Sequence, residues 1–499
     1  RFMKKFIISS FFCAGMLISA QQKSPLSEAK FWEGAPSLKE VKKEVRKGFD
    51  FKNTEGASDP IFAAIMAKAS PEVIKYLIDQ KGVDIEKKIF HERTYLHWAT
   101  NAKLYEVVKH LIKKGANLNA LDDKGANPLV YACRGGNITP EILELYIKNR
   151  FDIRQKYPQL EDADLLLLCI GQDKGLKITD ELISKGLSLQ VEDKKGRGAF
   201  YYAALVGDNV ENLRTLVKRG VKYDSSALLA VAEGAHKVTN GVQPYLYLIG
   251  ELKLDPKITN VQGETLLHIV ARKPKQEEVI NYLLSSGADA SRKDKNGNTA
   301  FMLVCGGKSL SIVKQLFPYC RDINAKNANG ETALLNAVKT GSTEIVNFLL
   351  QKGASLRTTD AKGNSLAFVL VDSFRVPKKG RQADKDFLPK LLLLQEKGIN
   401  FAQPFRDGST VYHIAATKNN LEFIRSLSPI KADINAKNND GLTALHKAAL
   451  VAKDDQILKY LISLGADKKI KTDLDETAYD IAKDNEALAH QNIDLSFLK

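Results

Sequence analysis

Residues 327–341 read NANGETALLNAVKTG, and this stretch decides the fold. Asn329-Gly330 is a tight-turn signal, Thr332 is a natural helix cap, and Ala333, Leu334, Leu335, Ala337 and Val338 place small and apolar side chains on one short helix. After a polar break at Thr340-Gly341 comes STEIVNFLLQKG, where Ile345, Val346, Leu349 and Leu350 recur at helical spacing and Gly353 stops the run. A helix pair this small cannot bury its own apolar faces. The stretch therefore predicts stacking on further copies of itself.

The copies are present. Turn glycines stand at 263, 297, 330 and 363, spaced 34, 33 and 33 residues apart; Gly408 follows after 45 and Gly441 after 33. Around them the chain reads NVQGETLLHIVA, DKNGNTAFMLVC, NANGETALLNAV, DAKGNSLAFVLV, FRDGSTVYHIAA and NNDGLTALHKAA, with endings such as LLSSGAD, LLQKGAS and LISLGAD. In the order and spacing of its T-P-L-H-x-A-A and G-A-D-x-N signatures, this chain resembles the ankyrin repeat family. The resemblance implies an all-α solenoid of helix-turn-helix units carrying short β-hairpin fingers.

Towards the N-terminus the pattern weakens but keeps register: DKKGRGAFYYAALVGD at Gly196, DDKGANPLVYACRGG at Gly125, and HERTYLHWATN, where Glu92 replaces the glycine. A further unit starts at Asp59, and Ser37 with Glu40 makes a capping box. The expected organisation is an N-terminal cap unit over 21–53, a repeat array over 54–471 and a C-terminal cap unit over 472–499, with Asp475 at the glycine place. That makes about 14 stacked units in one continuous array. The units near 157–192 and 226–259 lack the turn glycine and are ankyrin-like by register alone. The longer unit after Gly363 carries its excess in the basic stretch 376–390, VPKKGRQADKDFLPK. Surface loops lengthen cheaply, so this insertion reads as a solvent excursion, or else as a private contact element.

Lys4 and Lys5 precede an apolar run from Phe6 to Ile18, followed by Ser19 and Ala20. The run is about 13 residues, short of the roughly 20 that cross a bilayer, and predicts a signal peptide over 1–20 cleaved after Ala20. No later segment is apolar enough to span a membrane. Export into a bacterial periplasm is expected, with secretion or the cell surface as the alternative. The chain holds 74 Lys+Arg against 59 Asp+Glu, a net charge of +15. Such a balance suits nucleic acid, anionic lipid or acidic protein, and export removes the first from the expected compartment. The expected partner is a protein, with an acidic surface as the natural complement, and a monomer is favoured.

Little in the sequence carries bond-making chemistry. His97, His268, His413 and His446 occupy the fourth place of the T-P-L-H element, which the resemblance assigns to packing between units. His91, His110, His236 and His490 reproduce no metal-ligand spacing. Cys305-Gly306-Gly307-Lys308-Ser309 fails as a phosphate loop because Met302 stands where that motif needs glycine. Gly-x-Ser-x-Gly, His-Glu-x-x-His and Cys-x-x-Cys are absent. No catalytic residue, cofactor or metal is expected. Cys133, Cys169 and Cys305 stand in first helices and Cys320 at a turn-glycine place. Equivalent positions of neighbouring units should lie about 10 Å apart, beyond the roughly 7 Å a disulfide spans, so free thiols are expected, with one bridge as the alternative because four is an even count in an oxidising compartment.

The resemblance implies binding through finger tips and the residues that follow the first helix of each unit. Those places hold Phe90, His91 and Arg93; Lys124 and Arg134; Lys194, Lys195 and Arg197; and Arg272 and Lys273. Trp98 and Tyr131 lie on adjoining helices, so positive charge and aromatic area fall together, as at many interface anchors. The expected function is a noncatalytic, exported scaffold holding a partner protein in a concave groove. The alternative is an envelope or host-directed factor that helps or inhibits a particular enzyme.

Overall fold

The computed structural model describes residues 24–235, 238–376 and 384–499. The predicted signal peptide, His236, and the part of the basic insertion that holds Lys378, Lys379 and Arg381 lie outside the described residues. The chain divides into two compact units, one ending at Ile258 and the other running over Thr259–Lys499. That boundary falls at the end of the second stretch lacking a turn glycine.

The second unit shows how a repeat is built. In its Gly330 finger, Asn327 Oδ1 accepts the backbone N–H of Asn329 and of Glu331, both at 2.9 Å, and Gly330 adopts φ +70°. The side chain thereby closes a turn that leaves the next residues extended. Thr332 Oγ1 then accepts the Leu335 N–H at 3.2 Å and starts the helix Ala333–Thr340. Ser342 caps the second helix, Thr343–Gln351, and Gly353 ends it at φ +89°. Ala333, Leu334, Leu335, Ala337 and Val338 on the first helix, and Ile345, Val346 and Leu349 on the second, are buried. First helix packs on first helix and second on second through this unit, giving two layers with the core between them.

Fingers are tied to one another by backbone. The second residue of each tip donates its N–H to the carbonyl of the third residue of the preceding tip: Lys295 to Gln262 at 2.9 Å, Ala328 to Asn296 at 2.8 Å, and Ala361 to Asn329 at 2.8 Å. Histidine adds a second tie. In Thr265–His268 the imidazole Nδ1 accepts the Thr265 N–H at 3.2 Å while Nε2 donates to Asn298 O of the next unit at 2.9 Å. His413 and His446 repeat this with Leu442 O and Ile470 O.

The first unit uses the same plan with more substitutions. Its helix pairs include Tyr95–Asn101 with Tyr105–Lys113, Pro128–Arg134 with Pro140–Lys148, Leu165–Ile170 with Lys177–Ser184, and Ala199–Ala204 with Val210–Lys218. The Ser37/Glu40 capping box forms and opens the helix Leu38–Val45. Where glycine is missing, other residues take the left-handed conformation: Phe90, His91 and Glu92 at φ +42°, +56° and +58°, and Glu161 and Asp162 at +61° and +55°. The last pair of this unit is the most distorted, because the stretch Leu246–Glu251 winds as a π-helical turn.

The expectation of free thiols fails for one pair. Cys133 and Cys169 form a buried disulfide with their α-carbons 4.6 Å apart. The layer-spacing argument assumed equivalent positions, and these are not equivalent. Cys133 is the sixth residue after its cap Asn127, and Cys169 the fifth after its cap Asp164. The offset turns the two side chains towards one another across neighbouring first helices, and Gly136 lets its chain approach Gln172 of the next unit closely. Cys305 and Cys320 are free thiols, the first buried.

A candidate partner-binding face

The sequence-selected residues divide between the compact units: eight lie in the first, while Arg272 and Lys273 lie in the second. Around Arg93 the first unit builds an aromatic ladder across consecutive first helices. Phe90 packs on Phe62 at 5.4 Å between ring centroids, Phe62 meets Trp98 edge to face at 5.0 Å, and Trp98 meets Tyr131 likewise at 5.8 Å. Trp98 is buried and anchored by its indole N–H on Ile89 O at 3.3 Å. The Arg93 guanidinium lies 4.0 Å from the Tyr131 ring centroid and 5.5 Å from that of Trp98.

Arg93 is itself 8% exposed, and its Nε donates to Asp122 Oδ2 at 3.0 Å. The other Asp122 oxygen accepts the N–H groups of Lys124 and Ala126, both at 2.9 Å. Arg93 therefore ties one finger to the next and presents little free charge to solvent. Beneath it His97 donates from Nε2 to Ala126 O at 3.1 Å and accepts the Thr94 N–H on Nδ1 at 3.1 Å. Burial presses its pKa down to about 4, so the ring is neutral, as the two hydrogen bonds require.

The remaining basic positions are largely compensated. His91 Nδ1 lies 2.9 Å from Asp123 Oδ2. Lys194 and Lys195 share Glu161, at 3.2 and 2.9 Å, and these lysines hold its carboxyl below the ordinary carboxylate range. Arg197 donates from Nε to Asp193 Oδ2 at 2.7 Å and leans over Tyr201 and Tyr202, with ring centroids at 5.0 and 5.8 Å. Burial pushes the Asp193 carboxyl up, but the Arg197 guanidinium, backbone N–H groups and the Tyr202 hydroxyl together keep it below its usual value. Arg272 pairs with Glu264 at 2.6 Å. Lys124 and Arg134 are exposed and make no ion pair among the described residues, and Leu121, three residues before Lys124, is exposed too.

Sequence reading thus found the basic and aromatic positions and missed the acids that answer them. The signal for Asp122 and Asp193 was visible, since each is the first residue of its finger, where an acceptor side chain closes the turn. Its second oxygen is then free to take an arginine from the same finger or the preceding one.

The family model for ankyrin repeats (3 copies) matches residues 37–122, 61–157, 230–317, 267–360 and 381–472. These matches cover more than half of the chain, which belongs to the ankyrin repeat family. Such arrays generally serve as protein-interaction modules. The mouse B-cell lymphoma 3 protein homolog is 27% identical over 222 residues, 43% of this chain and 45% of that protein. The phosphocholine transferase AnkX of Legionella pneumophila is 25% identical over 203 residues, 36% of this chain and 20% of that enzyme. The chain spans about half the length of the curated relatives it matches first. Among solved structures, a chain from the complex of a predatory endopeptidase of Bdellovibrio bacteriovorus with an immunity protein is 28% identical. It has a TM-score of 0.31, and the match covers 40% of this chain and all of that one. Among the described residues no helix is long and apolar enough to cross a membrane.

Proposed function

We propose that this protein is an exported, noncatalytic scaffold that holds a partner protein against the finger and first-helix face of its first compact unit. One observation carries the reading: a rigid row of stacked units presents the exposed cations Lys124 and Arg134 next to the half-buried Tyr131 and the exposed Leu121. Preformed faces of this kind bind at low conformational cost, and aromatic residues beside positive charge are frequent energetic anchors. Because most of the neighbouring cations are compensated from within the chain, the partner's complement is a small acidic patch facing Lys124 and Arg134 rather than a broad acidic surface. Export is supported by the apolar run that follows Lys4 and Lys5 and by the bridged Cys133–Cys169 pair, since structural disulfides persist in oxidising compartments.

The test is crosslinking in the native cell followed by fractionation and mass spectrometry, comparing the natural chain with Lys124→Glu/Arg134→Glu. The expected outcome is a partner recovered with the natural chain outside the cytoplasm, and at least tenfold less of it with the double variant at unchanged thermal unfolding. Equal recovery with both chains would show that this face is not the contact. A cytoplasmic protein retaining Met3 would overturn export.

A further inference from the structure

A second surface, in the other compact unit, departs from the repeat rule in a way that opens a binding cleft. Across the three steps between the fingers of Gly263, Gly297, Gly330 and Gly363, each tip is tied to the one before it by the backbone N–H of its second residue. The tie between the Gly408 and Gly441 fingers obeys the rule too, with Asn439 N–H on Asp407 O at 2.8 Å. The step from Gly363 to Gly408 breaks it, as does the last step of the unit, where the Asp473 N–H makes no bond to Asp440 O. Lys362 O, which should accept the Arg406 N–H, accepts the Arg406 guanidinium instead, at 2.6 Å. The Arg406 backbone N–H has no partner among the described residues.

The Gly408 finger also differs within its own turn. Its first residue is Phe405, where the Gly263, Gly297, Gly330, Gly363 and Gly441 fingers have Asn or Asp accepting two turn N–H groups. Phe405 cannot accept. Its ring instead meets Phe368 of the preceding first helix edge to face, with centroids 5.3 Å apart and planes at 89°. The Arg406 side chain bridges the two tips, and a cavity of about 500 Å³ beside it is lined by Asn364, Phe368, Gln403, Phe405, Arg406 and Asn439 among others.

We infer that this cleft binds an extended segment of another protein, seating one bulky apolar side chain in the corner between Phe368 and Phe405. The unsatisfied Arg406 N–H is a donor for a peptide carbonyl, as when a strand adds to an open edge. The side-chain amides of Asn364, Gln403 and Asn439 supply both donors and acceptors, which is what a peptide backbone offers in return. Two rings at right angles form a corner for an inserted side chain rather than a flat platform for stacking a sugar. The volume falls within the range of sites that enclose a few side-chain-sized groups. This surface is independent of the face proposed above, so either can fail alone.

The rule that the cleft breaks also supplies its test. Phe405→Asp with Arg406→Ala restores the residue types that stand at those places in the Gly363 finger, Asp360 and Ala361, so it should close the cleft without harming the stack. The full chain and this variant are each incubated with a pool of random N-acetylated, C-amidated hexapeptides, and the bound fraction is sequenced by mass spectrometry. The natural chain is expected to enrich peptides sharing one aromatic or large aliphatic residue, with the variant retaining them at least tenfold less at an equal or higher melting temperature. An enriched peptide should slow hydrogen exchange at 363–368 and 403–409. No enrichment, equal retention by the variant, or binding on a glycan array without peptide enrichment would each overturn the inference. Should the variant unfold early, Phe368→Ala is read in the same way, and retention equal to that of the natural chain again overturns it.

Discussion

The two compact units use one architecture with different means of holding their fingers. From Gly263 to Gly363 the second unit repeats the same finger four times, with an Asn or Asp acceptor, a left-handed glycine and a backbone bond to the neighbour. The first unit has a glycine at 125 and 196 but Glu92 and Asp162 at the corresponding places. There it keeps the backbone tie, Asp123 N–H on His91 O at 3.1 Å and Lys194 N–H on Glu161 O at 2.9 Å, and adds side-chain bridges: Arg93 to Asp122, His91 to Asp123, and Lys194 and Lys195 to Glu161. Its first helices also carry a covalent link. Where local backbone preference is weaker, explicit cross-unit side-chain bonds reinforce the backbone tie. The basic residues that looked like a partner's docking surface are mostly these bonds.

The largest test of that contrast is the disulfide. Cys133 and Cys169 enclose a loop of 36 residues, for which the chain-entropy argument gives a stabilisation of about 4 kcal/mol. Cys133→Ala with Cys169→Ala replaces both by a residue that suits a first helix. The double variant is expected to lose up to about 4 kcal/mol of protection in hydrogen exchange over 95–218, with residues 259–499 unchanged. Labelling of both Cys133 and Cys169 by a thiol reagent, in a denatured chain isolated under oxidising conditions, would show that the bridge does not form.

Next comes Gly330, where the second unit depends most on glycine. A Cβ there would overlap the Ala361 nitrogen and stand 2.8 Å from the Asp360 carbonyl carbon, and the residue is left-handed as well. Gly353 is equally left-handed but has nothing within 4 Å. Gly330→Ala is expected to cost about 3 kcal/mol, overlap plus conformation, and Gly353→Ala about 1, from conformation alone. Urea unfolding followed within the second unit distinguishes them, and equal losses would mean that the fingers can separate without cost.

These cases also mark how far the sequence could be read. The period, the caps and the turn glycines are local chemistry, so NANGETALLNAV and its copies specify the helices and the two layers directly. The Cys133–Cys169 bridge depends on a one-residue difference in register between neighbouring helices, which a uniform layer spacing cannot express. The compensation of Arg93 and Arg197 depends on which way a guanidinium folds, although the acids were in plain view. FRDGS was visibly irregular at Phe405. That the irregularity opens a cleft follows only from the missing backbone tie.

The smallest effect bears on the strained finger of the first unit. Phe90, His91 and Glu92 are three consecutive side-chain-bearing residues with positive φ, a region that L-residues enter at a cost of roughly 1–2 kcal/mol each. Phe90 is held there by Phe62, and His91 by Asp123 and by the Asp123 N–H on its carbonyl at 3.1 Å. Among the described residues Glu92 pairs only with Lys88, at 2.7 Å, with both side chains more than half exposed, and such a pair contributes little. Glycine at 92 would relieve the conformation and give back part of the gain as greater freedom of the unfolded chain. Glu92→Gly is therefore expected to stabilise the first unit by about 0.5–1 kcal/mol, read as slower exchange over 89–101. A loss of stability would mean that the Lys88–Glu92 pair holds the finger, and that side-chain bridges outweigh backbone preference even at this most exposed position.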